Sequence, residues 1–305
     1  TSFRVSDIAM DWSLYSIAQL MTPNTCLPGQ TQKASEKLTR SVLLVYRRLP
    51  KQCMLSSIHP LDGRVSRMGC LWQARTVLSK ENDDDSHVEF ELQEVAPPYV
   101  NAIDDFPYLS ALVEPSNLRL IQEEVAAIPN WTAWPEQQHY QPLDGKAPWH
   151  VFPLCYCFPA NDVSKMKWVT ATASFVPNTV RLLKQHAGKW LRTALFSRLD
   201  PEAVLEPHTG WQDLANHVYR VHLPLKIPSG GLCGTWVDGC VQTHILGQLL
   251  AFDDSKIHQA FNYSSEERLV LILDVLRPVD LPIGTATGGH SEELDAFIAQ
   301  MEQPR

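Results

Sequence analysis

Apolar residues recur along the chain with two different periods, and the change of period divides it. From Lys33 to Leu49 the apolar positions Leu38, Val42, Val45 and Leu49 fall on one helical stripe behind Thr31, which predicts a helix capped by Thr31. Lys80 to His87 is an acidic run without the Gly and Glu spacing of a calcium loop, and it reads as a solvated loop. Val88 to Val95 alternates charged and apolar residues as a half-exposed strand does, and Pro97-Pro98 marks a boundary. Residues 104–130 are expected to be largely helical with a break near Pro115, offering Leu109, Leu112, Leu118, Ile121 and Val125 to a core. A Pro- and Trp-rich stretch, 131–148, runs into Trp149-His-Val-Phe-Pro-Leu154, and Pro177 to Gln185 is again helical in pattern.

From Trp190 onward the period shortens. Apolar runs at Thr193–Leu199, His217–Ile227, Thr235–Val237, His244–Phe252 and Arg268–Leu276 are separated by turn residues. Short strands at this spacing predict a β-sandwich or small barrel rather than βαβ units. In the second run, Tyr219, Val221, Leu223 and Leu225 form one face, and Val218, Arg220, His222 and Pro224 the other. Pro224 implies a sheet edge or a bulge, since proline cannot donate to a ladder. After a Gly/Thr linker, Ser291 followed by Glu292-Glu293 starts an amphipathic helix with Leu294, Phe297, Ile298 and Met301 on one side.

Composition narrows the classes. With 305 residues and 44% apolar side chains the chain can build a sizeable core. The net charge of −8 argues against nucleic acid or an anionic membrane as main partner. Seven cysteines, Cys26, Cys53, Cys70, Cys155, Cys157, Cys233 and Cys240, form no Cys-x-x-Cys pair, so reduced and mostly buried thiols are expected. The start lacks a signal-peptide pattern and no window approaches a membrane span, which makes the cytoplasm the expected location.

Polar residues able to do chemistry gather around the short strands. Glu206-Pro-His208-Thr-Gly210 lies in a turn, Arg220-Val-His222 on a strand, Phe252-Asp-Asp-Ser-Lys-Ile-His258 at a strand end, and Arg268-Leu269 opens the last strand, which carries Asp274-Val275. At one mouth of a barrel, imidazoles can meet a metal while guanidinium groups hold a carboxylate. This ordered series resembles the aspartyl/asparaginyl β-hydroxylase family over about residues 190–278, weakly back to about 104, and not over residues 1–100.

The resemblance implies an α+β fold with a mainly β core, a double-stranded β-helix (jelly roll, cupin-like) with flanking helices. The oxygenase domain is then expected at 101–280, after an N-terminal mixed or helical region of unknown role (1–100) and before a linker and C-terminal helix (281–305). It also implies an iron(II)- and 2-oxoglutarate-dependent dioxygenase that consumes O2, with His208 and His258 as metal ligands. Gly210 stands where most oxygenases of this superfamily place a carboxylate, an absence the family shares, so the resemblance implies a water at that position; another carboxylate such as Asp254 could approach the metal, and the favoured role of Asp254 is to orient His258 or that water. Ser197, Arg220, His222 and Arg268 are the implied 2-oxoglutarate contacts. Arg268 and Ser197 suit its distal carboxylate, and Arg220 and His222 its metal-chelating end.

Peptide-hydroxylating members carry an Arg two residues before the Arg220 position and a Lys at another, where this chain has Val218 and Leu195. A less polar small molecule, or an amino acid attached to a carrier protein, is therefore the expected substrate, hydroxylated or else desaturated or cyclised, as in specialised metabolism. Two rivals are a jelly roll that binds a ligand without turnover and an iron enzyme that rearranges its substrate. Two histidines and two arginines facing inward argue against the first, since a structural barrel has no need of them. His150 is a candidate pocket-lining residue and Trp211 a candidate for the substrate mouth. His59, His87, His139 and His290 are expected to face solvent, and His186, His217 and His244 show no partner pattern.

Overall fold

The computed structural model describes residues 71–79 and 87–302, with side-chain surroundings from residue 96 onward. The helix expected at Lys33–Leu49 lies outside these residues, as does the acidic run as far as residue 86. Strands β1 (Leu71–Ser79) and β2 (His87–Val95) pair antiparallel with each other. Then follow β3 (Tyr99–Val100), α1 (Ala102–Asp105), a 3-10 turn at Pro107–Val113 and α2 (Pro115–Ala126). Pro115 sits in the first turn of α2, where its missing N–H costs nothing, so the break expected there is a helix start.

Strands β4 (Thr132–Ala133), β5 (Trp149–Tyr156) and β6 (Lys167–Trp168) precede α3 (Thr170–Ala173) and α4 (Pro177–His186). Next come β7 (Leu191–Leu199), α5 (Gln212–Ala215), β8 (Val218–Lys226), β9 (Cys233–Val237) and β10 (Cys240–Thr243). The chain then runs through β11 (Leu250–Phe252), β12 (His258–Asn262), β13 (Arg268–Leu276) and α6 (Glu292–Met301).

Two antiparallel sheets face each other. The larger has the order β3-β11-β8-β13-β7-β5-β4, with β6 also on β5. The smaller, β10-β9-β12, is widened by the segment 203–208, whose backbone bonds β12 through Ala203, Leu205 and His208. Side chains from both sheets meet in two clusters. Trp149, Val151 and Leu199 pack with Leu205 and Ala260, and Val237 packs with Tyr99, Leu250 and Phe252. The result is a double-stranded β-helix flanked by helices, a mainly β core within an α+β fold. The outer face of the large sheet, with Phe196, Tyr219, Val221, Leu271 and Leu273, packs against Ile121 and Val125 of α2 and Leu182 and Leu183 of α4. Covered on both faces, β13 reads as a near-continuous apolar run.

Three strand expectations change. His244–Phe252 is not one strand. Gly247 takes a left-handed φ of 70°, His244 turns inside, and only Leu250–Phe252 stays in the ladder. The strands β10 and β12 were not expected. Pro224 lies in a central strand, beyond the end of β11 and beside a register shift at Leu269/Val270, so it marks a bulge and not an edge.

Candidate active site

Strand register decides which side chains share the interior. Directly paired residues point to the same side of a sheet. Arg220 pairs with Asp274 and Phe252, His222 with Ile272 and Leu250, Ser197 with Val270 and Val151, and Arg268 with Leu199. All four expected co-substrate contacts thus stand on the inner face of the large sheet, opposite the face covered by helices. Ser197, His222 and Arg268 are buried.

The two histidines come from opposite sides of a backbone junction. His208 and His258 exchange both main-chain bonds (3.0 and 2.8 Å), and their rings lie 4.4 Å apart between centroids. The Nδ1 of His208 faces the Glu206 carbonyl at 2.7 Å, and that of His258 the Lys256 carbonyl at 2.9 Å. A carbonyl can only accept, so each Nδ1 carries the proton and each Nε2 keeps its lone pair. Burial depresses both rings, taking His208 to about 3 and His258 well below the usual imidazole range. Both are neutral, the state a metal requires.

Asp254 reaches the same point. Its Oδ1 lies 3.4 Å from His258 Nε2 and 2.6 Å from Arg220 Nη1. The Lys256 carbonyl holds the His258 ring at Nδ1, while Asp254 stands at its Nε2. Burial pushes its carboxyl up to about 7, with Arg220 opposing and Asp274 adding to the rise. A side chain at Gly210 would collide with Asp254 Oδ2, and its Cβ would stand 2.7 Å from that of Ala215. The space that a carboxylate two residues after His208 would use is filled from the other loop. Among the described residues, no group of three or more His, Cys, Asp or Glu side chains is arranged to hold a metal.

The two arginines differ. Arg220 gives Nε and Nη2 to the Asp274 carboxylate (2.8 and 3.1 Å) as well as meeting Asp254. Burial works against its charge, but the two carboxylates more than offset this and raise its pKa. Arg268 is 1% exposed, and its Nε and Nη1 have no hydrogen-bond partner. Burial lowers its pKa to about 10, so it remains a cation. Nearby, Trp149 donates to Ser197 Oγ at 3.0 Å, leaving the Ser197 hydroxyl free to donate inward.

Several residues at the site had no expected role. His139 does not face solvent: it stacks on His208 at 4.4 Å and accepts from Trp134 Nε1 at 3.3 Å. His290 is also enclosed, lying between Asp213 and Asp295. His244 is 3% exposed, with its Nε2 3.0 Å from His222 Nδ1. His150 is half-buried and lies 3.8 Å from Asp200. Trp134 stacks between Trp149 and Trp211, forming an aromatic wall beside the histidine pair. The Pro- and Trp-rich stretch 131–148 leading into β5 was the available signal for that wall, whereas nothing near His139 or His244 in the chain announces its partner.

Fold and site together define a double-stranded β-helix protein with a paired-imidazole centre. Residues 115–278, more than half of the chain, match the family Aspartyl/Asparaginyl beta-hydroxylase, and the chain belongs to that family. An ornithine lipid ester-linked acyl 2-hydroxylase from Rhizobium tropici is 35% identical over 107 residues, 35% of this chain and 36% of that protein. Aspartate beta-hydroxylase domain-containing protein 2 from Mus musculus is 38% identical over 88 residues, 28% of this chain and 24% of that protein. The chain therefore spans about a third or less of the curated relatives it matches. Among solved structures, an oxidoreductase of the 2OG-Fe(II) oxygenase family from Burkholderia pseudomallei is 14% identical with a TM-score of 0.38, over 60% of this chain and 93% of that one. A Pseudomonas putida prolyl-4-hydroxylase gives 14% identity and 0.34, over 57% and 98%.

Proposed function

We propose that the chain is an iron(II)- and 2-oxoglutarate-dependent hydroxylase, with residues 101–280 as its oxygenase domain and a substrate of low polarity. The observation that carries this reading is the pair of neutral imidazoles with both Nε2 lone pairs free, on the same barrel interior as a buried, unpartnered guanidinium. Neutral imidazole suits iron(II), and the carbonyl bonds at Nδ1 hold each ring in its ligating tautomer. A dicarboxylate co-substrate answers the charge on Arg268, which is otherwise a costly feature of a barrel interior.

His208 and His258 would hold the metal. Arg268 and Ser197 would receive the distal carboxylate of 2-oxoglutarate, and His222 would donate to its metal-chelating end. Arg220, already engaged by Asp254 and Asp274, fixes the position of Asp254 next to the metal-facing nitrogen of His258. When bound, iron(II), 2-oxoglutarate and O2 supply the oxidation of a C–H bond to an alcohol, with succinate and carbon dioxide as co-products. The protein's share is to orient both ligands, place the co-substrate and exclude water through the tryptophan wall.

Substrate polarity is argued from Val218 and Leu195. Val218 packs with Ala160 and Leu214 beside Phe158 and Trp211, and Leu195 packs on the cluster containing Trp134 and Trp149. An acidic peptide would find no cation at either place. A small molecule or a carrier-borne group with an apolar chain fits, and the acyl substrate in the name of the Rhizobium relative points the same way. Among the described residues, no helix is long and apolar enough to cross a membrane.

Succinate release with iron(II) and 2-oxoglutarate, screened over acyl-bearing molecules and acidic peptides, tests this reading. Stimulation by the former with a product heavier by one oxygen supports it, and loss of two hydrogens instead assigns desaturation or ring closure. His208→Ala and His258→Ala should each abolish iron binding and turnover. Full activity in either variant removes the assignment.

A further inference from the structure

His222 and His244 form a hydrogen-bonded imidazole pair inside the barrel. His244 follows β10, held by its own N–H bond to the Cys233 carbonyl at 2.8 Å, and its ring reaches His222 on β8, with 3.0 Å between His244 Nε2 and His222 Nδ1. Both rings are almost completely buried. The outward nitrogens, His222 Nε2 and His244 Nδ1, have no hydrogen-bond partner, and neither do Nε and Nη1 of the nearby Arg268. A buried polar atom without a partner is costly, and four in one place point to something that binds there.

The chemistry of the pair has a consequence. In the shared bond one nitrogen donates and the other accepts, and each neutral ring carries one proton. If His244 Nε2 donates, then His222 must carry its proton on Nε2 and can donate it outward. If His222 Nδ1 donates instead, His222 Nε2 is a bare lone pair that repels a carboxylate. A carboxylate accepts only, so a co-substrate in this interior selects the first arrangement.

We propose that His244 is a positioning residue for the co-substrate: by donating from Nε2 to His222 Nδ1 it fixes the His222 tautomer that presents an Nε2–H to a carboxylate of 2-oxoglutarate. This rests on the reading of the barrel interior as the 2-oxoglutarate site. His244 itself touches neither the metal ligands nor, on this account, the reacting atoms. Its effect should appear in co-substrate affinity and not in metal binding.

Two measurements test it on the whole chain loaded with zinc(II), which binds without turnover. Long-range proton–nitrogen NMR of protein labelled at histidine nitrogens should show His222 protonated at Nε2 and His244 likewise. Calorimetric titration with 2-oxoglutarate should show His244→Leu binding roughly tenfold or more weakly, the loss of one hydrogen bond to a charged group. His244→Gln, whose amide N–H can take the place of Nε2–H, should restore most of the affinity and the His222 tautomer, and it serves as the test if the leucine variant does not fold. Equal affinity in wild type and both folded variants, or a His222 proton on Nδ1 in the wild type, overturns the proposal while leaving the site intact. Failure of the zinc-loaded wild type to bind 2-oxoglutarate would remove the co-substrate reading, and the proposal with it.

Discussion

Gly210 and the two arginines show how single residues divide the work. Because Asp254 already occupies the space beside Gly210, adding the carboxylate of a two-histidine, one-carboxylate triad should not create a third ligand. Gly210→Asp must displace Asp254 or Ala215 and set two carboxylates together, so a loss of about 1–3 kcal/mol is expected from overpacking alone. Urea unfolding measures this, and a Gly210→Asp variant as stable as the parent would show that the space is open. The arginines should separate in the opposite sense. Arg220→Met strands Asp254 and Asp274 in the interior and should cost about 3–5 kcal/mol. Arg268→Met removes an interior cation whose Nε and Nη1 bond nothing, so stability without co-substrate should hold or rise while 2-oxoglutarate affinity falls. Equal destabilisation by both substitutions would mean that Arg268 has a structural partner after all.

Among the elements, α4 joins a local start signal, Pro177, to a cap that no local pattern contains. Its N-cap position is Val176, which has no side chain to offer, and Pro177 supplies only the first-turn geometry. The cap comes from α2: Glu124 accepts from the backbone N–H groups of Asn178 and Thr179, both at 2.8 Å, and from both side chains. A carboxylate at a helix N-terminus satisfies orphan donors and meets the positive end of the dipole. Glu124→Ala should therefore cost about 1–2 kcal/mol, with Glu124→Gln losing less, as read from thermal unfolding. Elements whose signals are local were legible in the chain. Ser291 caps α6 by accepting from the Leu294 N–H, and β13 spans the run Arg268–Leu276. Strands β10 and β12 were not, because β10 is a four-residue hairpin edge with Cys240, Val241 and Thr243 exposed, and β12 is a five-residue strand that opens at His258. Their pairing with β9 sets them, and that is information about distant residues.

For the whole molecule, the candidate site was legible where motifs combine residue type with fixed spacing, as at Pro207-His208-Thr209-Gly210 and Asp253-Asp254-Ser255-Lys256-Ile257-His258. It was opaque where a lone histidine finds its partner only after folding. His139 meets His208 across 69 positions, and His290 joins α6 to α5, the short helix that follows the turn at His208. The latter should give the stability of the fold a pH dependence. The His290 ring lies 3.1 Å from Asp295 on α6 and 3.3 Å from Asp213 on α5, in T-shaped contact with the rings of Phe158 and Trp211. The Asp213 bond and charge, with Asp295 adding and burial opposing, raise its pKa. A group whose pKa is higher in the folded state stabilises fully below its unfolded value, about 6.5, and that contribution disappears as pH rises through the folded value. The clamp joining α6 to α5 should thus be firm in mild acid and weaken above the ordinary imidazole range. Urea unfolding of the wild type and of His290→Gln, followed from pH 5.5 to 8.5 (roughly the span over which imidazoles titrate), isolates this term as their difference. That difference should be largest at the acid end and shrink with rising pH, because only the wild type has the proton to lose; a difference that stays constant across the range would mean that His290 acts by packing against Phe158 and Trp211 and not by its charge.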